Sequence, residues 1–359
     1  MTRCARDRRV FFVEEPVFDR PPRAPWLELQ RGGAVTVVVP HLPEGLASED
    51  LDAKQRVLIE ELIRAQQISE YLLWYYTPMA LPLTAGLSPV ATVYDCMDEL
   101  SAFKDAPCLL KSRELDLMQQ ADLVLTGGQS LYEAKQHQHD NIHPFPSSVD
   151  VPHFAAARRI TADPPDQASI PRPRLGFFGV IDERMDLALV DGVAAARPDW
   201  QLVMLGPVVK IDSMSLPRRR NIHYLGAKPY DALPEYLSGW DVALLPFAHN
   251  QATRFISPTK TPEYLAAGCP VVSTSIRDVD RPYGQQGLAR IADDVGTFVR
   301  ACTAAMAEDR TERITRVDAF LRQTSWDGTW NRIHALVELA LSRNRSLDSQ
   351  SRAKGAAAV

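Results

Sequence analysis

The run Ser257-Pro258-Thr259-Lys260-Thr261-Pro262-Glu263-Tyr264-Leu265-Ala266-Ala267-Gly268-Cys269-Pro270-Val271-Val272 constrains this chain more than any other part of it. A loop with one basic residue leads into a helix start, a helix stop and a buried strand. Pro262 suits the first turn of a helix, where its missing N–H costs nothing. Gly268 and Pro270 stop that helix, and Val271-Val272 begins a strand. The helix N-terminus therefore faces the loop that carries Lys260. Unpaired N–H groups, a positive dipole end and a lysine together make an anion site, most naturally for a phosphate. Glu263, in the first turn, could hydrogen-bond sugar hydroxyls beside that phosphate, and Ser257 and Thr259 border the same spot. A plainer reading stays open, in which Glu263 complements the dipole and Lys260 is a solvated loop charge.

With 359 residues the chain has room for two ordinary α/β domains. Its 45% hydrophobic and 24% charged residues suit a globular protein with a full-sized core. A formal net charge of −5 argues against nucleic-acid binding, which needs a basic face. Arg218-Arg219-Arg220 and the group Arg3, Arg6, Arg8 and Arg9 could meet anionic lipid or a phosphate, although short basic runs are more often solvated. Cys4, Cys96, Cys108, Cys269 and Cys302 lack paired spacing, so neither a zinc site nor a disulfide framework is expected, and a reducing cytoplasm fits best. No apolar run approaches the roughly 20 residues of a membrane span, and the amino terminus lacks a signal-peptide core. The expected location is cytoplasmic, with peripheral association at the inner face of a membrane left open.

Strand-like and helical runs alternate throughout, the pattern of parallel sheets covered by helices. In the first half the strands fall at 10–13, 35–39, 90–94 and 123–126, with helices at 52–74 and 109–121. In the second half strands fall at 175–178, 202–205, 223–225, 242–246 and 270–274. One open sheet per half follows. The expected division is a first domain at 1–155, a proline-rich linker at 156–173, a second domain at 174–325, a terminal helix at 326–342 and an unstructured tail at 343–359. Trp326, Trp330, Ile333 and Leu336 lie at helical spacing and read as the stripe that packs the terminal helix on the body.

Two turns stand out as ligand sites. In Leu175-Gly176-Phe177-Phe178-Gly179 a strand leads into a glycine turn, and Gly179 lets the backbone approach a ligand at the carboxyl edge of the sheet, where open α/β folds bind nucleotides. Val93-Tyr94-Asp95-Cys96-Met97-Asp98-Glu99 puts three carboxylates at the end of a first-half strand. Asp95 is the expected functional group, able to orient an acceptor hydroxyl or take its proton. Asp98 is equally explained as a helix cap, with Glu99 in the first turn. The turn Thr126-Gly127-Gly128-Gln129-Ser130 could admit a ligand or simply permit a tight connection.

The run from Pro258 to Val272 resembles the donor-nucleotide motif of GT-B glycosyltransferases of the large retaining family four, also called glycosyl transferases group 1. Two Rossmann-like domains facing a cleft are what this resemblance implies. It makes Lys260 the contact to a donor diphosphate, shared with Arg184, and Glu263 the contact to the nucleotide ribose. Arg184 read from the residues alone could equally be a helix-start arginine paired with Asp182 or Glu183. The segment His223-Tyr224-Leu225-Gly226-Ala227-Lys228-Pro229-Tyr230-Asp231-Ala232-Leu233 is similar to the family loop that receives the base, with Gly226 in the turn and Tyr230 or Leu233 over the base face. Ser147-Ser148-Val149-Asp150 with Phe154 resembles the close of the first domain. The chain departs from the pattern at Phe255, where the family often has a first glutamate near the transferred sugar, with Asn250 or Arg254 as substitutes within reach. Its start resembles the end of a helix followed by the family's second strand, so the opening strand and helix are expected to be absent. The resemblance implies transfer of a sugar from a UDP- or GDP-sugar to a hydroxyl of a glycan or lipid-linked acceptor, with retention and without a required cofactor or metal. The rivals are a non-catalytic nucleotide-sugar binding subunit and a GT-B sugar-nucleotide epimerase. A nicotinamide dehydrogenase is disfavoured, because no GxGxxG follows an early strand.

Overall fold

In the computed structural model, which describes residues 1–21 and 23–357, the first half of the chain holds two sheets rather than the expected one. The first is made of β1 (Val10–Val13), β2 (Val17–Asp19), β3 (Trp26–Gln30) and β4 (Val35–Pro43). β4 pairs in parallel with β1 and β2 and antiparallel with β3. The expected strands omit β3, whose signal is the alternation Trp26-Leu27-Glu28-Leu29-Gln30 followed by the Gly32-Gly33 turn. The second sheet runs β5 (Leu72–Tyr75), β6 (Ala91–Cys96), β7 (Leu123–Thr126) and β8 (Ile142–Pro144), all parallel and in that order.

β5 corrects the helix expected at 52–74. The helix is Ser48–Ala65, and Gln67 in a left-handed conformation (φ 51°) turns the chain out of it. The apolar run Leu72-Leu73-Trp74-Tyr75 then continues the helical pattern in sequence but pairs with β6. Short apolar runs suit helix and strand alike, which is why periodicity misled here.

The second half is one parallel sheet of β9 (Arg174–Phe178), β10 (Gln201–Leu205), β11 (Ile222–Gly226), β12 (Val242–Leu245), β13 (Val271–Ser273) and β14 (Ala289–Ile291). Its spatial order is β11-β10-β9-β12-β13-β14, the doubly wound order whose direction of winding reverses between β9 and β12. Both faces are covered. Val203, Leu205, Ala243 and Leu245 go to one apolar cluster, and Leu202, Met204, Val242 and Leu244 to another. A strand buried on both sides reads as an unbroken apolar run, which is what made Val242-Ala243-Leu244-Leu245 legible.

The expected linker at 156–173 is packed against the second half. Trp240 Nε1 donates to Gln167 Oε1 at 2.9 Å, and Arg158 donates to Asp318 and to the Ala266 carbonyl. The terminal helix crosses back to the first half, where Ile333, Val337 and Leu341 meet Ala91, Val93, Leu123 and Leu125 of β6 and β7. It does not stop at 342. It runs Trp326–Ala357, because nothing from 343 to 354 breaks a helix and Asn344 Nδ2 donates to the Val90 carbonyl at 3.1 Å. The unstructured tail is therefore overturned up to Ala357, and 358–359 lie outside the described residues. Among the described residues no helix is long and apolar enough to cross a membrane.

Candidate functional site

Open parallel sheets hold ligands where the winding reverses, at the carboxyl ends of the two strands that flank that point. Here those strands are β9 and β12. β9 ends in Gly179 at φ 133°, and a Cβ on it would lie 2.2 Å from Lys260 Cε. Glycine is needed on both counts, since an L side chain would be strained there and would displace the lysine. Gly206, after β10, abuts the Gly179 carbonyl so closely that its own Cβ would sit 1.9 Å away. The sequence reading missed Gly206, although Leu205-Gly206-Pro207 repeats the strand-then-glycine signal of Gly179.

The helix Lys260–Ala267 starts beneath this turn and ends at Gly268. Its buried Tyr264 braces the turn, the hydroxyl accepting from Phe178 N at 3.0 Å. Lys260 crosses Gly179, with its ammonium 5.8 Å from the centre of the Phe177 ring. Among the described residues neither the Lys260 ammonium nor the Glu263 carboxylate has a hydrogen-bond partner. Burial lowers the Lys260 pKa, Glu263 opposes that and Arg184 adds to it.

Burial pushes the Glu263 carboxyl up to about 7, with Lys260 pulling it back. The ionised carboxylate is the stronger acceptor for sugar hydroxyls, so affinity for a nucleoside diphosphate should rise with pH through about 7. Stability has the opposite sign. A raised carboxyl pKa costs nothing below the unfolded value of 4.5 and destabilises increasingly as pH climbs from there to about 7. Calorimetric titration across this range, with Glu263→Gln as reference, should show a step in wild type that the variant lacks. The same step in both proteins would assign it to the ligand phosphate.

The sheet edge across the cleft contributes the loop after β6. Asp98 feels the charges of both Arg184 and Lys260, which pull down a pKa that burial raises. Asp95, the expected group, accepts instead from Trp74 Nε1 at 3.1 Å and feels neither cation. Burial pushes its carboxyl up to about 6. Asp95 is still on the strand, whereas Asp98 lies beyond it in the loop, and that difference brings only Asp98 to the second half. Further along, the Phe103 ring lies between the Arg184 guanidinium (5.5 Å) and the Lys210 ammonium (5.6 Å).

Arg184 itself is bound to Asp182, with Nε 3.0 Å from both carboxylate oxygens and Nη2 2.6 Å from Oδ2. The pairing with Asp182 is therefore the one the structure contains, in the turn before the helix Leu187–Ala196, and it partly meets the guanidinium's charge. Tyr230 is 48% exposed and stacks on His153, ring centres 4.4 Å apart, with Phe154 edge-on. Its hydroxyl pKa is pushed up to about 12, by burial and then by Glu263, which places it near that carboxylate. Leu233 is 8% exposed and belongs to the core, so it offers no surface to a base. Gly226, at φ 71°, has open space beside it. Thr259 is exposed at the helix start, and Ser257 packs towards Gly128 of the first half.

Phe255 fills the place where a glutamate was expected with an apolar contact. It packs on the first-half cluster that contains Tyr75, Leu117, Leu131 and Tyr132. Arg254 stacks on its ring at 5.0 Å, and Asn250 is occupied in capping, accepting from Thr253 N and donating to the Glu183 carbonyl. Asn250 is thereby taken up in holding the backbone, whereas the exposed Arg254 lies over the Phe255 ring. Two further ties join the halves: Asp278 Oδ1 accepts from Ser130 N at 2.9 Å, and Arg277 pairs with Glu133. Single-sequence reading gave no signal for Asp278 or His153, whose partners lie far away in the chain.

Residues 172–308 match the family described as Glycosyl transferases group 1. A Bacillus subtilis (strain 168) protein named "Putative teichuronic acid biosynthesis glycosyltransferase TuaH" is 25% identical over 299 residues, which is 76% of this chain and 72% of that protein. Among solved structures, sucrose-phosphate synthase from Thermosynechococcus elongatus superposes with a TM-score of 0.66 at 14% identity, covering 98% of this chain and 91% of the other. A UDP-forming trehalose-phosphate synthase from Burkholderia xenovorans gives 0.65 at 14% identity, covering 91% and 93%. Anabaena HepE in complex with UDP and glucose gives 0.60 at 15% identity, covering 88% and 87%. At such identities the superpositions establish the fold alone, an α/β fold with parallel sheets that matches GT-B glycosyltransferase structures.

Proposed function

From a chain that carries a glycosyl transferases group 1 domain on a GT-B fold, and is thereby a glycosyltransferase, we propose transfer of a sugar from a UDP- or GDP-sugar to a hydroxyl of a glycan or lipid-linked acceptor. The observation that carries this reading is the pair Lys260 and Glu263 on one helix end, neither with a hydrogen-bond partner among the described residues, beside Gly179 at the winding reversal. A diphosphate on Lys260 and the helix N-terminus would leave Glu263 one turn further on, at the ribose. Tyr230, near Glu263 and exposed, is then placed for the base.

In the transfer step the bond from the anomeric carbon to the donor phosphate oxygen breaks, and the acceptor oxygen bonds to that carbon. The leaving diphosphate gains negative charge, which Lys260 and the helix dipole meet in a half-buried site already organised for it. The acceptor proton goes to Asp98, which feels the charges of both Lys260 and Arg184. Proton removal on the side of the leaving group accords with retention. TuaH is named for teichuronic acid biosynthesis, which supports an envelope polysaccharide as the acceptor class.

The test is release of UDP or GDP from a panel of nucleotide-sugars, with and without lipid-linked glycan acceptors. Acceptor-dependent release establishes transfer. Phe255 favours one other reading, a subunit that binds nucleotide-sugar without turning it over, because the expected sugar-side glutamate is replaced by an apolar contact. Tight binding with no release from any donor would decide for that reading.

A further inference from the structure

The loop that carries Asp98 is tied from beneath by a buried ionic set. Lys135, at the end of the helix Gln129–Lys135, is 4% exposed, and its ammonium lies 2.8 Å from Glu99 Oε2 and 2.8 Å from Glu114 Oε2. Glu114 also accepts from the Tyr94 hydroxyl at 2.8 Å, with Cys96 Sγ 3.7 Å away. Ser101 Oγ donates to Glu99 at 2.6 Å, and Cys96 Sγ lies 3.6 Å from the Asp98 carbonyl.

Apolar residues of similar volume would fill this core as well or better, because three charges must be desolvated to build the set. Its distinguishing feature is reach. Through Lys135 it extends from the interior to Glu99, the immediate neighbour of Asp98. The loop is held on its other side as well, since Gly127 lies so close to Met97 that a Cβ there would be 2.2 Å from the Met97 carbonyl oxygen. With both sides fixed, the loop carries Phe103 in between Arg184 and Lys210 and brings the Lys104 backbone N to 3.4 Å from Glu183 Oε1, and Asp98 feels the charges of Lys260 and Arg184.

We propose that Lys135 is a positioning residue for the reaction, acting through Glu99 to hold the Asp98 loop against the second domain. This rests on the reading that Asp98 works in the cleft. The charges agree with the geometry. Burial opposes the ionised form of each partner, yet Cys96, Glu114 and Glu99 raise the Lys135 pKa, and hydrogen bonds from Lys135 and Ser101 lower that of Glu99. Both therefore stay charged through neutral pH.

Hydrogen exchange measured by mass spectrometry on the full chain tests this without knowing the substrate. Glu99→Ala removes the link to the loop and leaves the Lys135–Glu114 pair in the core, so it should fold even if Lys135→Met does not. Either folded variant should raise exchange at 97–104 by about tenfold or more, with peptides from β7, β9 and β12 unchanged. Affinity for UDP or GDP should stay within about twofold, because the residues proposed to hold the nucleotide all lie in the second half of the chain. Unchanged exchange at 97–104 in Glu99→Ala overturns the proposal. So does a rise spread over β6 and β7 in Lys135→Met with no effect of Glu99→Ala, which would make Lys135 a support of the fold alone. Asp98→Asn separates the underlying reading, because it should leave loop exchange at the wild-type level. If turnover is also unaffected, Asp98 is not the working group, while the clamp can still stand on the exchange data.

Discussion

Lys260→Ala is expected to lower turnover of the nucleotide-sugar by about 100- to 1,000-fold, the usual cost of removing one preorganised group that stabilises developing negative charge. Affinity for the free nucleoside diphosphate should fall much less. The reason is differential: the diphosphate gains charge as the glycosidic bond breaks, so the lysine contributes most in the transition state. Its setting strengthens the effect, because the side chain is held over Gly179 and Phe177 and does not need to reorganise. Steady-state rates and calorimetric affinities for the same variant separate the two quantities. Full turnover in the folded variant would make Lys260 a bystander.

Asp98→Asn is expected to slow transfer by about 100- to 10,000-fold, the range for loss of a general base. Asp95→Asn should change it by less than about tenfold, since Asp95 is engaged with Trp74 and feels neither cleft cation. Because burial raises the Asp98 pKa, activity that needs its ionised form should fall as pH drops through that raised value. Rates of the two variants, measured side by side with thermal melting to confirm folding, decide between the carboxylates. Loss of activity in Asp95→Asn with Asp98→Asn intact would reverse the assignment.

The choice between Asp95 and Asp98 shows where sequence reading stopped. Both follow one strand, and only the point at which β6 ends and the chain turns towards Arg184 separates them. Phe255 is a similar case. The sequence shows an absent glutamate, while the apolar contact that replaces it involves residues more than a hundred positions away. By contrast, five of the six second-half strands and the helix closing at Gly268 were legible, because unbroken apolar runs and local stop signals need no distant partner, while the three-residue β14 was too short to show such a run. β5 was hidden by an apolar run that fits either period, and β3 by a glycine hairpin left unread. The helix beyond 342 was missed because a polar extension carries no apolar stripe.

The account stands most directly on nucleotide binding by the second domain through Glu263. Titration of UDP and of GDP into the wild-type chain and into Glu263→Ala, followed by calorimetry above pH 7, measures it. One nucleotide should bind the wild type at one site per chain. The variant should bind it roughly tenfold or more weakly, since a hydrogen bond to a charged group contributes about 1.5–3 kcal/mol, and should melt no lower than the wild type. Equal affinity in the folded variant, or no binding of either nucleotide to the wild type, would contradict the site.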